Sequence, residues 1–108
     1  MITYWMTENR RLHTDDTIGR ASLQTQRPPV RVCDIGTERV GVIAQAPDGR
    51  FLCGRLNRGR AFLSETAAPK LYADLRRAQW GVRRFGRSDR TFTFIPLYRT
   101  EETYGDKG

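Results

Sequence analysis

Guanidinium groups are the side chains in this sequence best suited to binding chemistry, and they are clustered. Seventeen of the 108 residues are arginine and two are lysine. Residues 50–90 hold ten of these arginines and one lysine against three carboxylates, a net charge of +8, whereas the remainder carries eight cations and nine anions. A guanidinium binds phosphate and carboxylate groups through paired hydrogen bonds and stacks on aromatic rings. The cluster therefore predicts a partner that is rich in phosphate or carboxylate groups.

Two segments of this stretch have the composition of a nucleic-acid surface. Residues 54–60, GRLNRGR, place three arginines in a glycine-punctuated segment that can follow a phosphate chain. Residues 76–87 interleave arginines with aromatic rings, a composition typical of surfaces that stack on bases and track a backbone. The predicted binding residues are Arg55, Arg58, Arg60, Arg76, Arg77, Trp80, Arg83, Arg84 and Arg87.

These candidates also have structural interpretations. A genome rich in G and C explains the choice of arginine over lysine, although it does not explain the clustering, and the arginines of residues 54–60 also suit a solvated turn. In a small domain one tryptophan is a large part of the available core. We therefore expect Trp80 to turn back into the core and Phe85 to pack there, with a stacking platform as the alternative role of Trp80.

Residues that could support catalysis or metal binding are few. The single histidine, His13, lies near Asp15 and Asp16 in a polar stretch that suits solvent exposure better than a general base. The sequence has no GxSxG, P-loop or HExxH motif. Cys33 and Cys53 form no CxxC pair, and one histidine cannot complete a four-ligand zinc site with them. We expect two buried free thiols on neighbouring strands, and neither a cofactor nor a metal.

The aliphatic and phenylalanine residues predict the domain organisation. Only four of the 23 leucine, isoleucine, valine and phenylalanine residues fall in residues 1–28, which predicts a weakly structured N-terminal arm. Residues 29–99 are expected to form a single domain. Residues 100–108 are acidic and end in glycine, which predicts a frayed tail.

The predicted elements give an α+β fold. Pro47-Asp48-Gly49 has the chemistry of a reverse turn and predicts a β-hairpin from residues 40–46 and 50–56. Residues 64–69 suit the entry of one helix, with Pro69 at its first position, residues 70–80 continue it and Gly81 ends it. Pro96 ends the last strand or confines it to an edge. Further strands are predicted at residues 30–35 and 60–63, with a second hairpin from residues 82–85 and 91–95. This order, a β-meander, one helix and a β-hairpin, favours a mostly antiparallel sheet, with a small SH3-like or OB-like barrel carrying one helix as the alternative.

Three functions are compatible with these patterns. The first is a non-enzymatic module that binds DNA or RNA through its arginine-rich face. The second is a protein-interaction or inhibitor module of a phage or mobile element, whose basic face meets an acidic protein surface. The third is a ribonuclease toxin of a toxin–antitoxin pair, which needs no linear motif. The sequence shows neither a signal peptide nor the roughly 20 apolar residues of a membrane span, which predicts a cytoplasmic protein with no membrane partner.

Overall fold

The computed structural model describes residues 2–54 and 60–105. These residues form a mostly antiparallel sheet and two helices. The elements are β1 (Thr3–Met6), β2 (Leu12–His13), α1 (Ile18–Ser22), β3 (Val30–Cys33), β4 (Glu38–Gln45), β5 (Phe51–Cys53), β6 (Phe62–Ser64), α2 (Leu75–Arg84) and β7 (Thr93–Thr103). The described strands follow the order β2-β1-β3-β7-β4-β5-β6. The pairs β1–β2, β1–β3, β3–β7, β4–β5 and β5–β6 are antiparallel. The predicted combination of an antiparallel sheet with a helix is confirmed.

The chain divides into two compact units. Unit 1 contains residues 2–40 and 97–105 of the described chain, and unit 2 contains residues 41–96. Strands β4 and β7 each have residues in both units. This division differs from the single domain expected over residues 29–99, because residues from both ends of the chain belong to one unit.

In unit 1 the N-terminal residues are packed, in contrast to the weakly structured arm expected for residues 1–28. Strand β1 pairs with β2 on one side and with β3 on the other. Trp5, Leu12 and Ile18 are buried, and Ile18 is only 1% exposed. The count of leucine, isoleucine, valine and phenylalanine did not predict this packing because it leaves out Trp5, which is buried here.

The environment of Trp5 shows how this part of unit 1 is held. Its indole N–H donates to the carboxylate of Asp15 at 2.6 Å. The guanidinium of Arg31 lies 5.0 Å from its ring centroid, and the ring of Tyr104 meets it edge-on at 5.4 Å. The ring of Trp5 is therefore packed within the unit, and its N–H group is hydrogen-bonded there.

The hairpin of β4 and β5 in unit 2 forms where the turn chemistry predicts it. Gln45 pairs with Phe51, and the amide of Ala46 donates to the carbonyl of Arg50 at 2.7 Å. Gly49 adopts a φ of 93°, the left-handed conformation that glycine allows at this turn. The hairpin is confirmed, although its predicted end at residues 55–56 lies outside the described residues.

Helix α2 begins later and ends later than predicted. Tyr72 exchanges two backbone hydrogen bonds with Val42 of β4, at 2.8 and 2.9 Å, so the segment before the helix is held in an extended conformation. The side chain of Asp74 then accepts from the amide of Arg77 at 2.8 Å and caps the first turn. Gly81 lies inside the helix, which continues to Arg84, so the predicted helical stop at Gly81 and the hairpin from residues 82–85 and 91–95 are wrong.

Strand β7 is longer and more central than predicted. It runs past Pro96 to Thr103 and lies between β3 and β4 in the strand order. Its residue pairs with β3 begin at Tyr98, so the missing amide of Pro96 lies outside that ladder. Residues 100–103 therefore belong to a strand, which corrects the prediction of a frayed tail for this part of residues 100–108.

Both cysteines are buried free thiols, as predicted. Cys33 lies on β3 and Cys53 on β5, which are not neighbours in the strand order, so their expected placement on adjacent strands is wrong. Burial raises the pKa of the Cys53 thiol above its ordinary value, which keeps it protonated at neutral pH.

Candidate functional site

One face of α2 carries four arginines around a tryptophan. Arg76 and Arg77 lie about one turn before Trp80, and Arg83 and Arg84 lie about one turn after it. At 3.6 residues per turn these five positions fall within an arc of about 120°. All five side chains are exposed, and Trp80 is 57% exposed. We call these five residues the arginine–tryptophan face.

The opposite side of α2 determines which way this face points. Ala78 and Val82 have no exposed surface, and Phe85 packs against a buried apolar cluster in the same unit. The buried members of that cluster are Ala44, Ala46, Leu52, Val82 and Phe92. The predicted packing of Phe85 is confirmed, and rotation of the helix about its axis would expose this apolar surface to water.

Trp80 does not pack into the core, so the favoured interpretation of this residue is wrong. The helix continues through Trp80 to Arg84 instead of fraying after Gln79. Trp80 therefore keeps its helical direction, which is nearly opposite to Val82. Within residues 2–54 and 60–105, no hydrogen bond or ring contact engages the indole of Trp80, in contrast to the fully engaged indole of Trp5.

Two carboxylates accompany the four guanidiniums. Arg77 Nε lies 3.8 Å from a carboxylate oxygen of Asp74, and Arg83 Nη2 lies 3.3 Å from one of Asp89. The hydrogen bond from Arg83 lowers the pKa of Asp89, which is therefore charged at neutral pH. Both arginines remain mostly exposed, and such ion pairs exchange readily with other anions because they add little stability. Among the described residues Arg76 and Arg84 have no ion pair.

The helix dipole explains the positions of only two of these four arginines. Cations in the last turn, such as Arg83 and Arg84, interact favourably with the helix dipole. Arg76 and Arg77 lie in the first turn, where the dipole favours anions and where no acidic residue lies. The dipole therefore does not account for the position of the first-turn pair, although Arg77 lies near the capping carboxylate of Asp74.

Tyr72 lies beneath the middle of α2. A Cβ atom on Gly81 would come within 2.5 Å of Cζ and 2.7 Å of Cε1 of its ring, so only glycine leaves room for the phenol. Burial raises the pKa of Tyr72, while the positive charge of Arg84 acts in the opposite direction. The phenol therefore fixes the distance between α2 and the extended segment that precedes it.

Replacing Gly81 with alanine tests this arrangement. Alanine favours a helix interior by about 1 kcal/mol over glycine, but the clash with a half-buried ring costs about 1–3 kcal/mol. Because Val42 holds the backbone of Tyr72, we expect a net loss of up to about 2 kcal/mol in unfolding free energy, measured by urea denaturation.

Gly19→Ala in α1 is the matched control. The added Cβ atom would lie 3.4 Å from the hydroxyl of Tyr104, an ordinary contact, so this variant should be neutral or more stable. Equal stabilisation of both variants would contradict the role assigned to Tyr72.

The other predicted binding residues lie outside this face. Arg60 and Arg87 are exposed, whereas Arg55 and Arg58 lie outside the described residues. Arg87 lines an open cavity of about 340 Å³ in unit 2. The remaining lining residues are Ala46, Pro47, Asp48, Arg50, Leu63, Thr91 and Phe92. Sequence reasoning missed this cavity because its lining comes from separated segments, and it missed Asp74 and Asp89 as partners of the arginines.

No group of three or more histidine, cysteine, aspartate and glutamate side chains in the described part of the chain could hold a metal ion. Burial and the charge of Arg11 lower the pKa of His13. Neither described helix combines the length and apolar character needed to cross a membrane. Comparison with models of protein families, with curated proteins and with solved structures finds no match for this chain.

Proposed function

We propose that this protein binds nucleic acid without catalysing a reaction on it, through the arginine–tryptophan face of α2. The observation that carries the proposal is an exposed indole with guanidinium pairs one turn before and one turn after it. Guanidiniums supply bidentate phosphate contacts, and the indole supplies an apolar ring for stacking. The face points to solvent because the opposite side of the helix is buried.

An acidic protein surface is the alternative partner, as expected for a protein-interaction or inhibitor module that a phage or mobile element encodes. Arginine and tryptophan are also the residues most enriched at protein-binding hot spots. The first-turn position of Arg76 and Arg77 suits both partners equally, so the partner class is decided by whether the wild-type protein binds nucleic acid.

Binding of the wild-type protein to labelled mixed-sequence DNA and RNA, followed by fluorescence anisotropy over a series of salt concentrations, tests the proposal. We expect micromolar or tighter binding at low salt. Each phosphate contact contributes about 0.7–0.9 to the slope of log K against log salt, so four contacts give a slope of about −3. Wild-type protein that binds neither DNA nor RNA at micromolar concentration in low salt would overturn the proposal and favour the acidic protein partner.

A further inference from the structure

Resting on the proposed function, we infer that the ligand is single-stranded and that one unpaired base stacks on Trp80 between two phosphate-binding arginine pairs. The position of the indole is the first reason. Along the helix axis the arginines on each side lie about 4.5–6 Å from Trp80, and the whole face spans about 12 Å. The ring is therefore flanked by cations on both sides along one line.

The distribution of charge along this line is symmetric. In each pair one arginine contacts a carboxylate, namely Arg77 with Asp74 and Arg83 with Asp89. The other arginine of each pair, Arg76 or Arg84, has no ion pair within the described residues. The phosphates on each side of the stacked base thus meet a pair of guanidiniums, one of which has no ion pair within the described residues, and the intervening base lies over the ring.

A duplex fits this face poorly. In a double helix the bases stack on one another, and each groove presents their edges, which carry hydrogen-bond donors and acceptors. An indole at the centre of the contact would cover these polar edges without satisfying them. A single strand exposes the faces of its bases, and stacking on an aromatic side chain is tolerant of sequence.

The freedom of the indole is the second reason. Trp5 shows how this protein engages a structural tryptophan, with a hydrogen bond, a cation over the ring and an aromatic neighbour. None of these contacts is found for Trp80 among the described residues, and more than half of its surface faces water. Its ring is available to a ligand without prior rearrangement of the helix.

The test compares Trp80→Leu and Trp80→Phe with the wild-type protein. Each is titrated at fixed salt with a labelled strand of mixed sequence and with the same strand annealed to its complement, as both DNA and RNA. We expect the wild type to prefer the single strand and Trp80→Leu to lose about 5- to 150-fold of single-strand affinity, the range for one stacked base. Trp80→Phe should retain most of the affinity, and duplex binding and the salt slope should change little.

The ribo- and deoxyribo-strands should show the same dependence on Trp80, because the ring contacts a base and not the sugar. Unchanged thermal unfolding of Trp80→Leu shows that the lost affinity reflects the ring itself. Equal affinity for single strand and duplex, or a loss of less than twofold in Trp80→Leu, would overturn the inference while leaving arginine-dependent binding intact. Absence of all binding by the wild type would instead overturn the proposed function.

Discussion

Replacing Trp5 with alanine is expected to lower the free energy of unfolding by about 3–5 kcal/mol, the range for truncating a buried aromatic residue. Trp5 is 6% exposed, and Asp15, Arg31 and Tyr104 contact its ring. Truncation therefore removes apolar packing and also leaves a carboxylate and a guanidinium without their aromatic partner. The same substitution at Trp80 should change stability by less than about 0.5 kcal/mol, because that side chain lies on an exposed helix face.

Urea denaturation followed by circular dichroism measures both effects, with Trp80→Ala as the matched control for loss of an indole. The contrast between the two variants tests the packing of the N-terminal residues and the exposure of the helix in one experiment. If Trp5→Ala were as stable as the wild type, residues 1–28 would form the weakly structured arm that their sparse aliphatic content predicts.

Replacing the four arginines of the arginine–tryptophan face with glutamine is expected to have the largest effect on binding. Four lost phosphate contacts should reduce the slope of log K against log salt by about 3. The affinity should fall for all sequences alike, because contacts to phosphate position a ligand without reading its bases. Anisotropy titrations over a salt series measure both quantities.

The control for this variant replaces four exposed arginines of unit 1, at positions 11, 20, 27 and 39, with glutamine. It removes the same charge from the chain, so a general loss of electrostatic attraction affects both proteins equally. A slope that falls as much in the control as in the α2 variant would show that binding depends on net charge and not on the helix face.

Local chemistry made the β4–β5 hairpin predictable from sequence. A proline, an aspartate and a glycine in succession favour a reverse turn, and Gly49 has the positive φ that such a turn uses. The limits of α2 were not predictable in the same way, because the backbone of Tyr72 is held by Val42, 30 residues earlier in the chain. Local propensity alone would start the helix before Tyr72. The hydrogen bonds to Val42 of β4 hold that segment extended instead.

Part of the candidate site was likewise predictable from the sequence, and part was not. The interleaving of arginines with Trp80 is visible in the sequence, and the helical period already places Trp80 opposite the apolar side. The expectation that it packs inside came from its size, and it failed because the helix continues to Arg84 and keeps Trp80 on the face opposite Ala78 and Val82. The cavity beside Arg87 was not predictable, since its lining residues meet only after folding.

The glycine within α2 has a consequence for engineering. Tyr72 fits against the bare backbone at Gly81, and Ala78 and Val82 are buried on the same side, so the buried contacts of α2 come from residues other than the five outward ones. These positions can therefore be varied as a set while the buried contacts of the helix are retained. A library of variants at these five sites could be selected for binding to targets other than anionic ones.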